Sequence, residues 1–277
     1  MIASIVLLSI VSFLDDRSPL PPSLRLGVQV IVGIVIFVTG SQIYSITNPL
    51  GGIVKLDTWL IDAGPLGPLP VLSGIFTLGW LMLTINALNW FDGITGQVSI
   101  LSAIGFWLLG CLALFRNGEP DIALMAFVLG SIASAAALFD FPPAKMLIGD
   151  TGSMFFGLML GLIGIYHGGK VATAFLVLGI PLLDALFVAG KRLLRGHSPF
   201  RGGQDHLHHR LLRKGWSERQ IVVGTAATGM IFGSTALFLD TAGKGIAVAI
   251  LVLLMLCLEG YAGVASTVQK SSESSAQ

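Results

Sequence analysis

The fold is decided by the stretch from Val71 to Gly96, VLSGIFTLGWLMLTINALNWFDGITG. Its first nineteen residues carry no charge, and a run of that length reads as a membrane span. The run then ends on two amides, Asn86 and Asn89, one carboxylate, Asp92, and two glycines, Gly93 and Gly96. Such groups can cap the helix and hydrogen-bond to neighbouring helices, which suits one Asn; three polar residues and two glycines together point rather to a functional face.

The rest of the chain has the same character. Of its 277 residues 54% are hydrophobic and 11% charged, against roughly 25% charged in soluble domains. The expected fold class is therefore an all-α integral membrane protein, a polytopic helical bundle rather than a barrel. A net charge of +1 gives no ground for a nucleic-acid partner. Cys111 and Cys257 lie inside apolar runs and read as buried spectator thiols, without a disulfide or zinc site. The opening MIASIVLLSIVSFL lacks the basic region and cleavage site of a signal peptide. At 1.5 Å per residue it spans roughly 21 Å, short of a ~30 Å hydrocarbon core, and reads as the end of a longer parent helix.

Nine membrane segments are expected, near 1–14, 24–42, 71–89, 97–115, 121–139, 152–166, 171–190, 219–239 and 244–265. They make one polytopic domain, 1–265, followed by a disordered polar tail, 266–277. The loop 43–70 is expected to form a short hairpin lying on the membrane. Alternating the segments sorts twelve Lys and Arg to one side and four (Lys55, Arg116, Lys170 and Lys244) to the other. The basic side is cytoplasmic by the positive-inside rule, with the N-terminus outside and the C-terminus inside. Asp15, Asp16, Asp92, Asp150 and the histidines of the loop 191–218 all fall on that side.

Four motifs stand there. Asp15 and Asp16, in FLDDR, end the first segment together; adjacent like charges call for a cation (a divalent ion, a charged substrate or an arginine), or else form a solvated helix end with Arg17 as partner. Asn86 and Asn89 share a helix face, and Asp92 continues the stripe while Gly93 and Gly96 allow a turn. Asp150 opens GDTGS, a pattern that reads as a helix N-cap or as a phosphate-binding helix start with a metal carboxylate. The segment HSPFRGGQDHLHHRLLRKGW (197–216) holds four of the five histidines. It suits phosphate recognition at an anionic leaflet better than zinc. Asp184, inside an apolar segment, is a functional candidate or a structural partner. Gly157 and Gly161 have the spacing of close helix packing.

In this order, DD, NxxNxxDG, GDTGS and HxHH resemble the polyprenyl-phosphate N-acetylhexosamine-1-phosphate transferases from about residue 10 to 239. SPF…DHLHHRLL resembles the bacterial members that use UDP-N-acetylglucosamine. The resemblance implies attack by a polyprenyl phosphate, such as undecaprenyl phosphate, on the β-phosphorus of a UDP-sugar. The products are a polyprenyl diphosphate sugar and UMP, with Mg²⁺, or Mn²⁺ in its place. It assigns Asp150 to the metal, and Asp15, Asp16 and Asp92 to catalysis. It assigns Asn86, Asn89, Gly93, Ser153, His206, His208 and His209 to substrate. A homodimer and an inner-membrane location with a cytoplasmic site are compatible with it.

Two departures stand out. Family members continue DGxDG, whereas Thr95 occupies the second aspartate's position here and Gln97 that of an apolar residue. They also commonly carry about two more upstream membrane helices. The alternative expectation is a catalytically impaired paralogue that binds lipid phosphate or nucleotide-sugar. A transporter is disfavoured because the polar motifs gather at one face rather than at mid-membrane.

Overall fold

A computed structural model describes the chain except residues 49–51, 167–170, 199–202, 204 and 275–277; side chains are described only as far as 262. It is almost entirely helical. The elements are α1 (Ile2–Arg17), α2 (Pro22–Val38), α3 (Val71–Phe91), α4 (Gln97–Leu112), α5 (Pro120–Asp140), α6 (Gly149–Tyr166), α7 (Val171–Val177), α8 (Gly179–Leu194), α9 (Leu207–Arg213), α10 (Glu218–Phe238) and α11 (Thr241–Ser274). Five helices among the described residues (α3, α4 with its continuation to Asn117, α5, α10 and α11) are long and apolar enough to cross a membrane. The count is six if α7 and α8 make one broken span.

Each of the nine expected segments falls on a helix, though 24–42 leaves it after Val38, and the five or six spans compare with nine expected. One is not straight: the stretch expected as a single span over 171–190 breaks at Leu178, and α7 and α8 meet at 91°. The loop 43–70 carries two small antiparallel hairpins instead of one. β1 (Ser45–Thr47) pairs with β2 (Ile53–Lys55), and β3 (Leu60–Asp62) with β4 (Pro68–Pro70). Lys170, Pro199, Phe200 and Arg201, used in the expectations above, lie outside the described residues, as do the side chains of the expected tail.

Local chemistry sets the helix ends. Pro22 and Pro120 start α2 and α5, where a missing N–H costs nothing. Ser217 and Gln220 form a reciprocal capping box on α10. Gly96, at φ +81°, makes the left-handed turn that separates α3 from α4.

The core lies around α3 and α6. A Cβ at Gly157 would sit 2.7 Å from the Thr84 carbonyl oxygen, and one at Gly161 2.6 Å from Thr84 Oγ1. The two glycines thus let α6 touch the α3 backbone, as their spacing predicts. Trp80 fastens the pair by donating from Nε1 to the Gly161 carbonyl at 3.0 Å. Large apolar side chains such as Phe115, Leu124, Leu138 and Phe238 point outward, as a surface in lipid requires. Cys257 is exposed on the outer side of α11 beside Leu253 and Leu256, not buried as expected.

Candidate functional site

Four helix ends meet at one end of the bundle: the C-termini of α1 and α3 and the N-termini of α2 and α6. Arg25, in the first turn of α2, ties them together. Its guanidinium lies 2.8 Å from an Asp15 carboxylate oxygen and 3.1 Å from one of Asp150. It also donates to the Asn89 side-chain oxygen at 2.8 Å. Asn89 donates in turn to Ser153 Oγ at 3.2 Å. Motifs 64 residues apart in the chain are thereby one hydrogen-bonded cluster. In the sequence Arg25 counts only as one positive-inside charge, and its connecting role has no local signal.

The two aspartates of the DD pair do different things. Asp15 is buried, accepts the Leu20 N–H at 2.6 Å and holds Arg25. Asp16 is exposed and crosses to α6. One oxygen accepts the Asp150 N–H at 2.8 Å; the other accepts the Thr151 N–H at 3.0 Å and the Thr151 hydroxyl at 2.6 Å. Asp16 is thus the cap of α6, supplied from another helix. The GDTGS pattern predicts a cap formed by Asp150 itself. Instead the helix begins at Gly149, and Asp150 lies in its first turn with its carboxylate facing Arg25. Gly149 has φ +63°, and a Cβ there would fall 2.8 Å from Asp16 Oδ1. The cap requires that glycine.

The stripe expected along α3 is divided. Asn86, only 8% exposed, turns away from Arg25 into an amide pair with Gln29 of α2. It donates to Gln29 Oε1 at 2.7 Å and accepts from Gln29 Nε2 at 3.3 Å. Its amide also donates to the Met82 carbonyl of its own helix at 2.8 Å, so its hydrogen-bonding capacity is spent inside the bundle. Asn89 faces the cluster. Asp92 is the C-cap of α3, partly buried. Burial, and then the negative charges of Asp140, Asp150 and Asp16, push its carboxyl up to about 8. Thr95 is partly exposed in the same turn. Gln97, one residue past Gly96, is buried with neither end of its amide paired.

Asp184 emerges as the structural partner. One oxygen accepts the Leu207 N–H at 2.9 Å and the other lies 2.7 Å from His206 Nδ1. It starts α9 and fixes the His206 ring against Trp90. Glu259 of α11 steadies the same short helix, pairing with Arg210 of α9 and Lys191 of α8. His208 is 1% exposed, and neither ring nitrogen has a partner. Burial, then the neighbouring His209 and His206, drive its pKa down to about 3, so it is neutral. Its Nε2 would be 2.1 Å from a Cβ on Gly93, so this glycine admits the ring to the Asp92 turn. A buried imidazole without partners carries a real desolvation cost. His209 is half-buried, its pKa lowered by burial and by His206.

No three His, Cys, Asp or Glu side chains converge as a metal cluster among the described residues. Asp15 and Asp150, held on one guanidinium, still fit Mg²⁺. That ion is commonly bound by one or two carboxylates, with water and substrate phosphates completing its shell.

The sequence matches the Glycosyl transferase family 4 model over residues 1–168. It is similar to a Bacillus subtilis (strain 168) protein named "Probable undecaprenyl-phosphate N-acetylglucosaminyl 1-phosphate transferase", at 28% identity over 94% of this chain and 71% of that one. Two further relatives are named undecaprenyl-phosphate alpha-N-acetylglucosaminyl 1-phosphate transferase. The Yersinia pestis protein is 31% identical over 78% of this chain and 59% of its own length. The Escherichia coli (strain K12) protein is 29% identical over 76% and 57%. The chain thus spans less than two thirds of these last two.

Proposed function

Because the chain belongs to glycosyl transferase family 4, we propose that it transfers N-acetylglucosamine-1-phosphate from its UDP derivative to undecaprenyl phosphate. A lipid phosphate oxygen attacks the β-phosphorus, the bond to the bridging oxygen of UMP breaks, and a lipid diphosphate sugar and UMP leave. The observation that carries this reading is Arg25 reaching Asp15, Asp150 and Asn89 at once. Phosphoryl transfer requires charge neutralisation and alignment more than covalent help from the protein, and this cluster offers both.

Asp150 and Asp15 would hold Mg²⁺, which when bound neutralises the diphosphate and polarises its oxygens. Arg25 positions both carboxylates before substrate arrives and is a second cation for phosphate. Asp16 sets the start of α6, so that Asp150 and Ser153 keep their places. Asn89 orients donor oxygens, and Asp92 and neutral His208 line the turn beside them. The twelve basic residues of one side support a cytoplasmic site within nine membrane segments.

The test supplies membranes containing the full chain with radiolabelled UDP-N-acetylglucosamine, undecaprenyl phosphate and Mg²⁺. Labelled lipid and released UMP are expected, with Asp150→Asn and chelator abolishing both. No labelled lipid with either Mg²⁺ or Mn²⁺ refutes the activity. Thr95 supports a second reading, an impaired paralogue. Saturable UDP-sugar binding without UMP release would establish that instead.

A further inference from the structure

Asp140 holds none of the hydrogen bonds of the Arg25 cluster, yet it places a carboxylate, 1% exposed, at the last residue of α5. Ser99, in the first turn of α4, donates its hydroxyl to Asp140 Oδ2. A Cβ on Gly96 would stand 3.4 Å from the Asp140 carbonyl oxygen and 3.1 Å from Phe141 Cα. The end of α5 is therefore packed onto the turn 92–96, and its carboxylate is fastened at the start of α4. That location suits a negative charge, because a helix N-terminus stabilises anions. It also adjoins the turn in which Thr95 replaces a carboxylate of the sequence pattern.

We infer that Asp140 supplies from α5 the second carboxylate of the Asp92 turn, in place of one at position 95. The inference rests on the proposed transferase reading for its consequence, though not for its geometry. Asp140 is a positioning residue here. Buried and bonded through Ser99, it sets the field at Asp92 without meeting substrate. The sign agrees with this placement: the negative charge of Asp140, like those of Asp150 and Asp16, raises the Asp92 carboxyl. One carboxylate beside Asp92 is sufficient. A further carboxylate at position 95 would add a second fixed negative charge to a partly buried space, which is costly.

A four-member cycle tests this: wild type, Thr95→Asp, Asp140→Asn and the double variant, each purified in detergent as the full chain. Transfer kinetics and thermal midpoint are measured on all four. Each single variant is expected to lose kcat on the order of 10- to 100-fold, as removal of a supporting partner does. KM for the UDP-sugar should be little changed. The double variant, with the carboxylate moved from 140 to 95, should regain most of the wild-type kcat. A merely structural Asp140 does not allow that rescue, since a carboxylate at position 95 cannot restore the bond to Ser99. Full activity of Asp140→Asn, or a double variant no better than the worse single, overturns the inference. If wild type itself transfers nothing, the transferase reading fails, and the thermal midpoints decide. Thr95→Asp should lower the midpoint strongly with Asp140 present and weakly in the Asp140→Asn background, whereas additive shifts refute the shared place.

Discussion

Gly93→Ala tests the contact between the α3 turn and the His loop most directly. The new Cβ would lie 2.1 Å from His208 Nε2, 2.8 Å from Cδ2 and 3.0 Å from Cε1. Carbon contacts settle near 3.5–4.0 Å, so the ring must retreat by roughly 1.5 Å. It has little room to do so. It is 1% exposed, edge-on to Phe91 and packed against His209 at a centroid distance of 4.1 Å. Misplacement by about 1 Å in an active site costs on the order of 10²-fold in rate, and overpacking costs about 1–3 kcal/mol of stability. Steady-state release of UMP reads the first and thermal unfolding in detergent the second. His208→Ala removes the ring, so adding Gly93→Ala to it should cost almost nothing further. Wild-type kinetics in Gly93→Ala, or full additivity with His208→Ala, would refute the contact.

Other outcomes follow from the same geometry. Asp16→Ala removes the shared cap of α6 and should destabilise by about 1–2 kcal/mol, read as a lower thermal midpoint, while Gly149→Ala should resemble it. Arg25→Lys keeps the charge but cannot reach Asp15, Asp150 and Asn89 together; transfer should fall more than tenfold, the loss typical of about 1.4 kcal/mol. Glu259→Gln leaves Lys191 and Arg210 without their shared carboxylate, and proteolysis around 203–214 should quicken. The Asp92 carboxyl is raised from 3.8 to about 8, chiefly by burial. Its folded form therefore binds a proton that the unfolded chain has released. The stability it contributes is complete below pH about 4 and is lost as pH rises through about 8. Asp92→Asn should flatten the decline of the thermal midpoint over that window.

The membrane helices and the four motifs are legible in the sequence because apolar runs and family spacing are local signals. What stays hidden there is tertiary. Asn86 and Asn89 share a helix face by spacing, yet Gln29 on α2 captures Asn86 while Arg25 takes Asn89. Nothing in either residue's neighbourhood distinguishes them. Asp150 has the local signature of a cap, but an exposed carboxylate from α1 takes that work. Arg25 has the look of an ordinary topogenic charge. The right-angle break at Leu178 has only Gly179 and Pro181 to announce it, and both residues are tolerated in spanning helices. Asp184 stands out as unusual from its apolar surroundings alone, but its partners, the Leu207 N–H and the His206 ring, appear only in the fold.

The Asp16 cap has an evolutionary consequence. Its acceptor lies in the first motif, and its donors, with the glycine that makes room for it, lie 133 to 135 positions later. Selection acts on the joint, not on either half. A lineage that adds a side chain at 149 must give up or shorten the carboxylate at 16 in the same step. The two motifs should therefore drift as a covarying pair, and a chain retaining only one of them has lost the junction even where both helices persist.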